Sequence, residues 1–364
     1  MIAALGYNPV RTGWNYQDSI NMSKSTINDV ARLAGVSIKT VSRVVNRESG
    51  VRDATREKVE KAIAELNYWP NQSARDLAAS RAHLICLVYD DPSAYRLPSA
   101  GYVIRLQEGV LRVCRSHGYE LLIHPCNYRD RQVGDELKVL IHRARPAGVV
   151  LAAPLSNFPK IVRAISTTGT PFVRLSPGQK LSGERVVATN DREFAAEMTC
   201  YLSSLGHRRI AFITGHPKHK AVGHRFDGYR DGLKRSGLEF SERLVMAGDN
   251  SFGSGEAAAM TLLQRKHRPT AVFAANDDMA VAVLRVASRL GIPVPEQLSV
   301  AGCDDITLAE QVHPALTTIR QPFSTMAERA SLMLVKGTEE SEKPNGTVVV
   351  PGTLKIREST GPAP

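Results

Sequence analysis

Along residues 25–67 the apolar positions recur at three- and four-residue spacing in three short runs, the period of amphipathic helices. Ile27, Val30, Ala31 and Leu33 predict a first helix to about Ala34, capped by Ser25 or Thr26 and stopped by Gly35. Val36 fills the turn, Ser37 caps a second helix, and Val41, Val44 and Val45 give that helix its buried side. A third helix begins at Asp53 or Thr55 and runs to about Asn67, amphipathic through Val59, Ile63 and Leu66. Two helices joined across a glycine at this spacing make a helix-turn-helix pattern, and the third closes a small core.

From Ala82 the pattern changes. The apolar runs LICLVYD, YELLIHP, AGVVLAAP and PFVRLS form one set of strands, and RRIAFITG, TAVFAAND and LSVAGCDD a second, with amphipathic stretches between them. Such alternation predicts an α/β core of parallel sheets covered by helices, and two sets predict two lobes. Ligands in open α/β sheets bind beyond the carboxyl ends of the strands, so the residues to examine are Asp90 and Asp91, Asn276 with Asp277 and Asp278, and Asp304 with Asp305.

The second helix turns Ile38, Lys39, Ser42, Arg43 and Asn46 outward with no acid among them, a face suited to phosphates and base edges in a major groove. Charge supports a polyanionic partner. The 364 residues carry 47 Lys and Arg against 36 Asp and Glu, and residues 22–81 are the denser part, with eleven basic and seven acidic side chains. The five cysteines (Cys86, Cys114, Cys126, Cys200, Cys303) are scattered without a C-x-x-C pair, which argues against a disulfide framework or a zinc site and for a reducing, cytoplasmic setting. There is no secretion-signal pattern and no apolar run long enough to span a bilayer, so no membrane partner is expected.

Enzyme readings lack their signatures: there is no G-x-G-x-x-G after a strand, no P-loop lysine and no G-x-S-x-G elbow. The pairs Asp277/Asp278 and Asp304/Asp305 fit helix caps or hydroxyl acceptors better than acid/base catalysis. His216, His219 and His224 fall in GHPKHKAVGH, where Lys218 and Lys220 disfavour a metal cation, and the stretch reads as a solvated basic loop beside the cleft. No cofactor, metal or catalytic residue is expected.

Three ordered blocks, TINDVARLAGVSIKTVSRVVN, VRDATREKVEKAIAELNY and PNQSARDLA, closely resemble the DNA-binding module of the lactose/galactose repressor family. The resemblance continues through LGHRRIAFITG, HRFDGYRDGL, AANDDMAVAVL, VAGCDD and LTTIRQPF, covering about Ser23 to Glu358. It implies a homodimeric transcriptional regulator, a repressor of carbohydrate-utilisation genes, that binds double-stranded operator DNA and is controlled by a sugar held between two periplasmic-binding-protein-like lobes. The expected division is a disordered extension over 1–21, a headpiece over 22–70, a hinge helix and linker over 71–81, and a core over 82–364. Within the core, lobe 1 takes about 82–187 and 321–342, and lobe 2 about 188–320 and 343–364.

By the same resemblance Ile38, Lys39 and Arg43 read bases, while Thr26, Ser37, Thr40 and Asn46 contact phosphate or fix helices, with Ser42 beside them. Lys39 could reach a guanine or only a phosphate. Asn71, Ala74 and Leu77 belong to the hinge helix, Leu77 as an apolar wedge in the minor groove. Arg225, Asn276 and Asp304 take effector-site positions, joined by Asp90 at a strand end and by Gln321 and Phe323 where the chain crosses back between lobes. Asn250 and Arg174 depart from the family pattern. Phe252 could supply the aromatic that Asn250 replaces, and Arg174 either meets an anionic effector such as a sugar acid or forms an internal salt bridge. The chain lacks terminal leucine heptads, so a dimer is expected, with residues 106–118 as one contributor to its interface.

A solute-binding protein would share such a core but would need an export signal and no headpiece.

Overall fold

The computed structural model describes residues 25–45, 48–68, 82–91, 101–178, 184–339 and 346–364. They fall into two compact units divided between Ala79 and Ser80.

The first unit is three helices, α1 (Ile27–Ala34), α2 (Ile38–Val45) and α3 (Asp53–Glu65). Thr26, rather than Ser25, caps α1, and it forms a capping box with Asp29. Ser25 instead donates to the carbonyl of Leu66 at 2.9 Å, tying the start of α1 to the end of α3. Gly35 ends α1 at φ 66°, a left-handed position that glycine takes without a Cβ penalty. Val30, Ala31, Val41, Val44, Val59 and Ala62 form the buried core. Leu33, which spacing assigns to the apolar face, is exposed.

The second unit has two lobes. In the first, β1 (Ala82–Asp90), β2 (Glu120–Cys126), β3 (Pro146–Leu151), β4 (Phe172–Leu175), β5 (Arg185–Ala188) and β11 (Gly346–Val349) form a parallel sheet in the order β11-β5-β4-β3-β1-β2. Against it lie α4 (Gly101–His117), α5 (Val133–Ala144), α6 (Pro159–Ser166) and α12 (Phe323–Glu339). In the second, β6 (Ile210–Ile213), β7 (Val245–Met246), β8 (Ala271–Ala274) and β9 (Ser299–Ala301) form a parallel sheet in the order β7-β6-β8-β9. It is packed by α7 (Asp191–Ser204), α8 (Lys220–Arg235), α9 (Phe252–Leu263) and α10 (Asp277–Arg289), with the short α11 (Thr307–Gln311) after β9. Strands β6, β8 and β9 are short runs such as AVFA, buried along their whole length as strands covered on both faces require.

The chain passes between lobes after β5, again between β10 (Thr318–Arg320) and α12, and a third time between β11 and β12 (Thr353–Lys355), which pairs antiparallel with β10. The last crossing corrects the expected boundary at residue 343. Gly346–Val349 pairs in parallel with Arg185–Ala188 and so extends the sheet of the first lobe. The unpaired N–H and C=O groups along the edge of β5 take up this strand before the chain leaves.

The two lobe surfaces meet their helices closely. A Cβ on Gly109 of α4 would lie 2.1 Å from the carbonyl oxygen of Ser324 on α12. The apolar residues of 106–118, including Leu106, Val110, Val113 and Cys114, are buried in the core of the first lobe. What remains outward is charged, with Arg112 paired to Glu108 and Glu328, and the exposed Ile104 lies one turn earlier.

Candidate functional site

In the first unit, the α2 face singled out from the sequence is described at Ile38, Lys39, Ser42 and Arg43. Ile38 is half exposed. The Ser37 hydroxyl accepts from the N–H of Thr40 at 3.2 Å and shares a hydrogen bond with its hydroxyl, so both fix the start of α2. Thr26 is engaged by Asp29 in its capping box. Arg43 folds back: its guanidinium meets Glu48 at 3.3 Å and the Ser49 carbonyl at 3.0 Å. Lys39 and Ser42 lie on the same helix. Asn46, Asn71, Ala74 and Leu77 fall outside the described residues.

In the second unit a cavity of about 400 Å³ opens between the lobes at the carboxyl ends of the strands. Lobe 1 contributes Asp90, Tyr102, Tyr128 and Arg129; lobe 2 contributes His216, His219, Arg225, Asn250, Asn276, Asp278 and Asp304; Gln321 and Phe323 come from the crossing. The strand-end rule placed Asp90, Asn276, Asp278 and Asp304 on this wall, while their neighbours Asp277 and Asp305 point away from it.

Arg225 is nearly fully buried and fixed from three sides. Its Nε donates to Asp191 at 2.9 Å, its Nη1 donates to the Ala275 carbonyl at 2.5 Å, and Asp304 lies 3.7 Å from the same nitrogen. These contacts fix the guanidinium through Nε and Nη1. Asp304 also accepts from Gln321. Burial raises the Asp304 carboxyl to about 6, opposed by Arg225 and the Gln321 bond. A group poised in this way can accept from hydroxyls as an anion or donate to an ether oxygen as an acid.

Asn276 caps α10, accepting from the N–H of Met279 at 3.1 Å, and its amide donates to the Asn250 carbonyl at 2.9 Å. One N–H and one oxygen lone pair of this amide are thus used, which fixes its orientation in the wall. Asn250, at φ 72°, accepts at its side-chain oxygen from the N–H of His216. Phe323 meets Tyr102 edge to face, ring centres 4.7 Å apart, and the two rings give the cavity an apolar side.

Two expected residues are not in the cleft. Arg174 is buried in lobe 1, where Nε and Nη2 donate to the Ser156 carbonyl at 3.0 and 2.7 Å and Nη1 pairs with Glu184. Of its two readings, the internal salt bridge is the one realised. Phe252 opens α9 with its ring under the Arg285 guanidinium, 5.6 Å from the ring centre, and does not replace the aromatic missing at Asn250.

Tyr102, Tyr128, Arg129, His216 and His219 line the cleft and were missed. Tyr128 follows the carboxyl end of β2, so the strand-end rule applied to β2 as well would have found it. The histidine stretch is not simply solvated. His216 reaches Tyr128 across the mouth at 3.3 Å, and burial, with His216 and Arg225 nearby, holds His219 neutral with its pKa lowered to about 3. His224 is exposed on α8, away from the cavity. Among the described residues no group of three or more His, Cys, Asp or Glu could hold a metal ion, and no helix is long and apolar enough to cross a membrane.

Comparison with known proteins agrees with both units. Residues 26–71 match the family described as bacterial regulatory proteins, lacI family, and residues 199–360 match the periplasmic binding protein-like domain. The HTH-type transcriptional regulator DegA of Bacillus subtilis (strain 168) is 32% identical over 341 residues, 93% of this chain and 99% of that protein. A structure of the transcriptional regulator CelR in complex with cellobiose is 32% identical, with a TM-score of 0.71 over 92% of this chain and 100% of that one. The lac repressor dimer bound to operator and the anti-inducer ONPF is 27% identical, with a TM-score of 0.81 over 93% of this chain and 99% of that one. With a helix-turn-helix unit, a two-lobed core and a relative matched over nearly its whole length, this chain belongs to the lacI family of bacterial regulatory proteins.

Proposed function

We propose that the protein is a cytoplasmic, homodimeric transcriptional repressor whose operator affinity is set by a sugar bound between the lobes. The observation that carries the reading is the cavity of about 400 Å³, walled by Arg225, Asp304 and Asp278 and by the rings of Tyr102 and Phe323, in a chain that begins with a helix-turn-helix unit. Fixed donors and acceptors beside an aromatic face match the alternating hydroxyls and apolar faces of a sugar ring. The relative bound to cellobiose supports the same ligand class.

The DNA-binding role falls to α2, with Ile38, Lys39 and Arg43 reading bases and Thr26, Ser37 and Thr40 ordering the helix for phosphate contact. Arg43 must exchange Glu48 and Ser49 for a guanine or a phosphate, an intramolecular competition that favours dissociation from weak sites. The division into headpiece (22–70), hinge (71–81) and core completes the proposal, with Asn71, Ala74 and Leu77 entering the minor groove. Effector and operator are then coupled reciprocally: each changes the affinity for the other by the same factor. The protein acts as a switch and not as a catalyst.

The test is a thermal-shift screen of the full chain against neutral sugars, sugar acids and nucleobases, because a ligand that binds only the native state raises the melting temperature. Neutral sugars are expected to give the hits, since Arg174 is committed to Ser156 and Glu184 and the cleft wall carries more carboxylates than guanidinium groups. A response confined to nucleobases would overturn the sugar assignment. Operator selection from random duplexes, repeated with each hit, then reads the effect on DNA binding.

A further inference from the structure

A second cavity, of about 420 Å³, lies between α5 and α6 in the first lobe. Its floor is apolar: Val133, Ile161 and Ala164 are buried, and Phe158 is stacked on Tyr128 with ring centres 4.8 Å apart. Gly134 lets the two helices approach, since a Cβ there would come within 3.3 Å of the Ala164 Cβ. Around this floor stand five cationic side chains and two carboxylates. Lys138 is paired with Asp135 at 3.0 Å, and Asp130 accepts from the N–H of Gln132 at 2.8 Å. The side chains of Arg131, Lys160 and Arg163 have no hydrogen-bond or ion-pair partner among the described residues.

Three exposed cations around one concave, apolar-floored surface give it a positive potential, only partly offset by Asp130, which suits an anionic guest. The apolar floor gives a free inorganic ion no contact of its own. We propose that this cavity binds a small organic phosphate, with its planar or apolar body on Val133, Phe158 and Ile161 and its phosphate among Arg131, Lys160 and Arg163. The two guanidinium groups supply forked donors and the lysine a point charge. Tyr128 lines both this cavity and the cleft, and its hydroxyl meets His216 across the cleft mouth, so a guest on the Phe158–Tyr128 stack bears on the effector site. The site is thus a second chemical input, and it stands independently of what fills the cleft.

The test is isothermal titration of the full chain, in low-salt buffer, with p-nitrophenyl phosphate, inorganic phosphate and p-nitrophenol. The aryl phosphate is expected to bind once per chain with Kd on the order of 1 mM or tighter. Each of the other two probes should bind about tenfold more weakly or less, because each lacks one half of the recognition. The double variant Lys160→Ala/Arg163→Ala removes two exposed side chains and should weaken the aryl phosphate about tenfold at an unchanged melting temperature. If that variant melts lower, Arg131→Ala, in the segment before α5, supplies the same comparison. Absence of saturable heat overturns the proposal. So does undiminished binding by the variants, which would place the anion on the headpiece or in the cleft, or inorganic phosphate binding as tightly as the aryl phosphate, which would reduce the site to a charged surface.

Discussion

Arg225 and Asp191 face each other at the base of the cleft, Nε to Oδ1 at 2.9 Å, both side chains almost fully buried. The pair joins the start of α7, just after the first crossing, to the middle of α8, and it aims the rest of the guanidinium at Asp304. The guanidinium that lines the cleft is therefore held in place by the structure that links the lobes.

Truncating Arg225 should have two consequences. Arg225→Ala leaves the Asp191 carboxylate buried without its cation, and breaking a buried pair in this way costs about 3–5 kcal/mol. Urea unfolding would measure that loss. The same variant should show no thermal shift with any sugar that stabilises the parent protein, and a full shift would remove Arg225 from the site.

Asp277 makes stability depend on pH. Its carboxylate accepts from Ile306 and Thr318 behind the cleft wall, and burial, with Asp304 adding to it, raises its pKa to about 8. In the unfolded chain the group titrates near ~4. Between these values the folded state keeps a proton that the unfolded state has lost, so Asp277 withdraws stability as pH rises from about 4 to about 8 and nothing further above that. Relative to Asp277→Asn, the wild-type denaturation midpoint should fall between pH 5 and 8. Parallel profiles would show that Asp277 does not titrate in this window.

Arg174 offers a contrast with Arg225. Arg174→Met keeps much of the buried volume but leaves the Ser156 carbonyl and Glu184 without their donor, at a cost of about 1–3 kcal/mol for the unsatisfied groups. Ligand-induced thermal shifts should persist in this variant. Their loss would return Arg174 to the effector site.

Gly109→Ala tests the packing of α4 on α12. The added Cβ would meet the Ser324 carbonyl at 2.1 Å and the Ala327 methyl at 2.9 Å, and backbone cannot move aside as a side-chain tip can. Overpacking of this kind costs about 1–3 kcal/mol, so the melting temperature should drop. An unchanged value would mean that the two helices separate without penalty.

How far the site could be read from the chain depended on how local its cause was. Asp304 and Asn276 follow the carboxyl ends of β9 and β8, so strand prediction placed them. Tyr102 and His219 reach the cavity through helix placement and lobe closure, for which no sequence period gives a signal. Arg174 lies within a similar strand-like run, PFVRLS, yet it turns into the lobe because Ser156 and Glu184 satisfy it there.

The sequence by itself determined the headpiece, where a capping box, a left-handed glycine and valines at helix spacing act within a few residues of each other. It also determined the two sets of buried strands, whose short continuous apolar runs have no other stable place than the middle of a covered sheet. Only the tertiary structure decided that β11 returns to the first lobe, that Arg174 turns away from the cleft, and that Tyr128 serves two cavities. Those outcomes depend on which groups satisfy a strand edge, a guanidinium or a ring, and such partners lie from 10 to 161 residues away, beyond a helix or strand period.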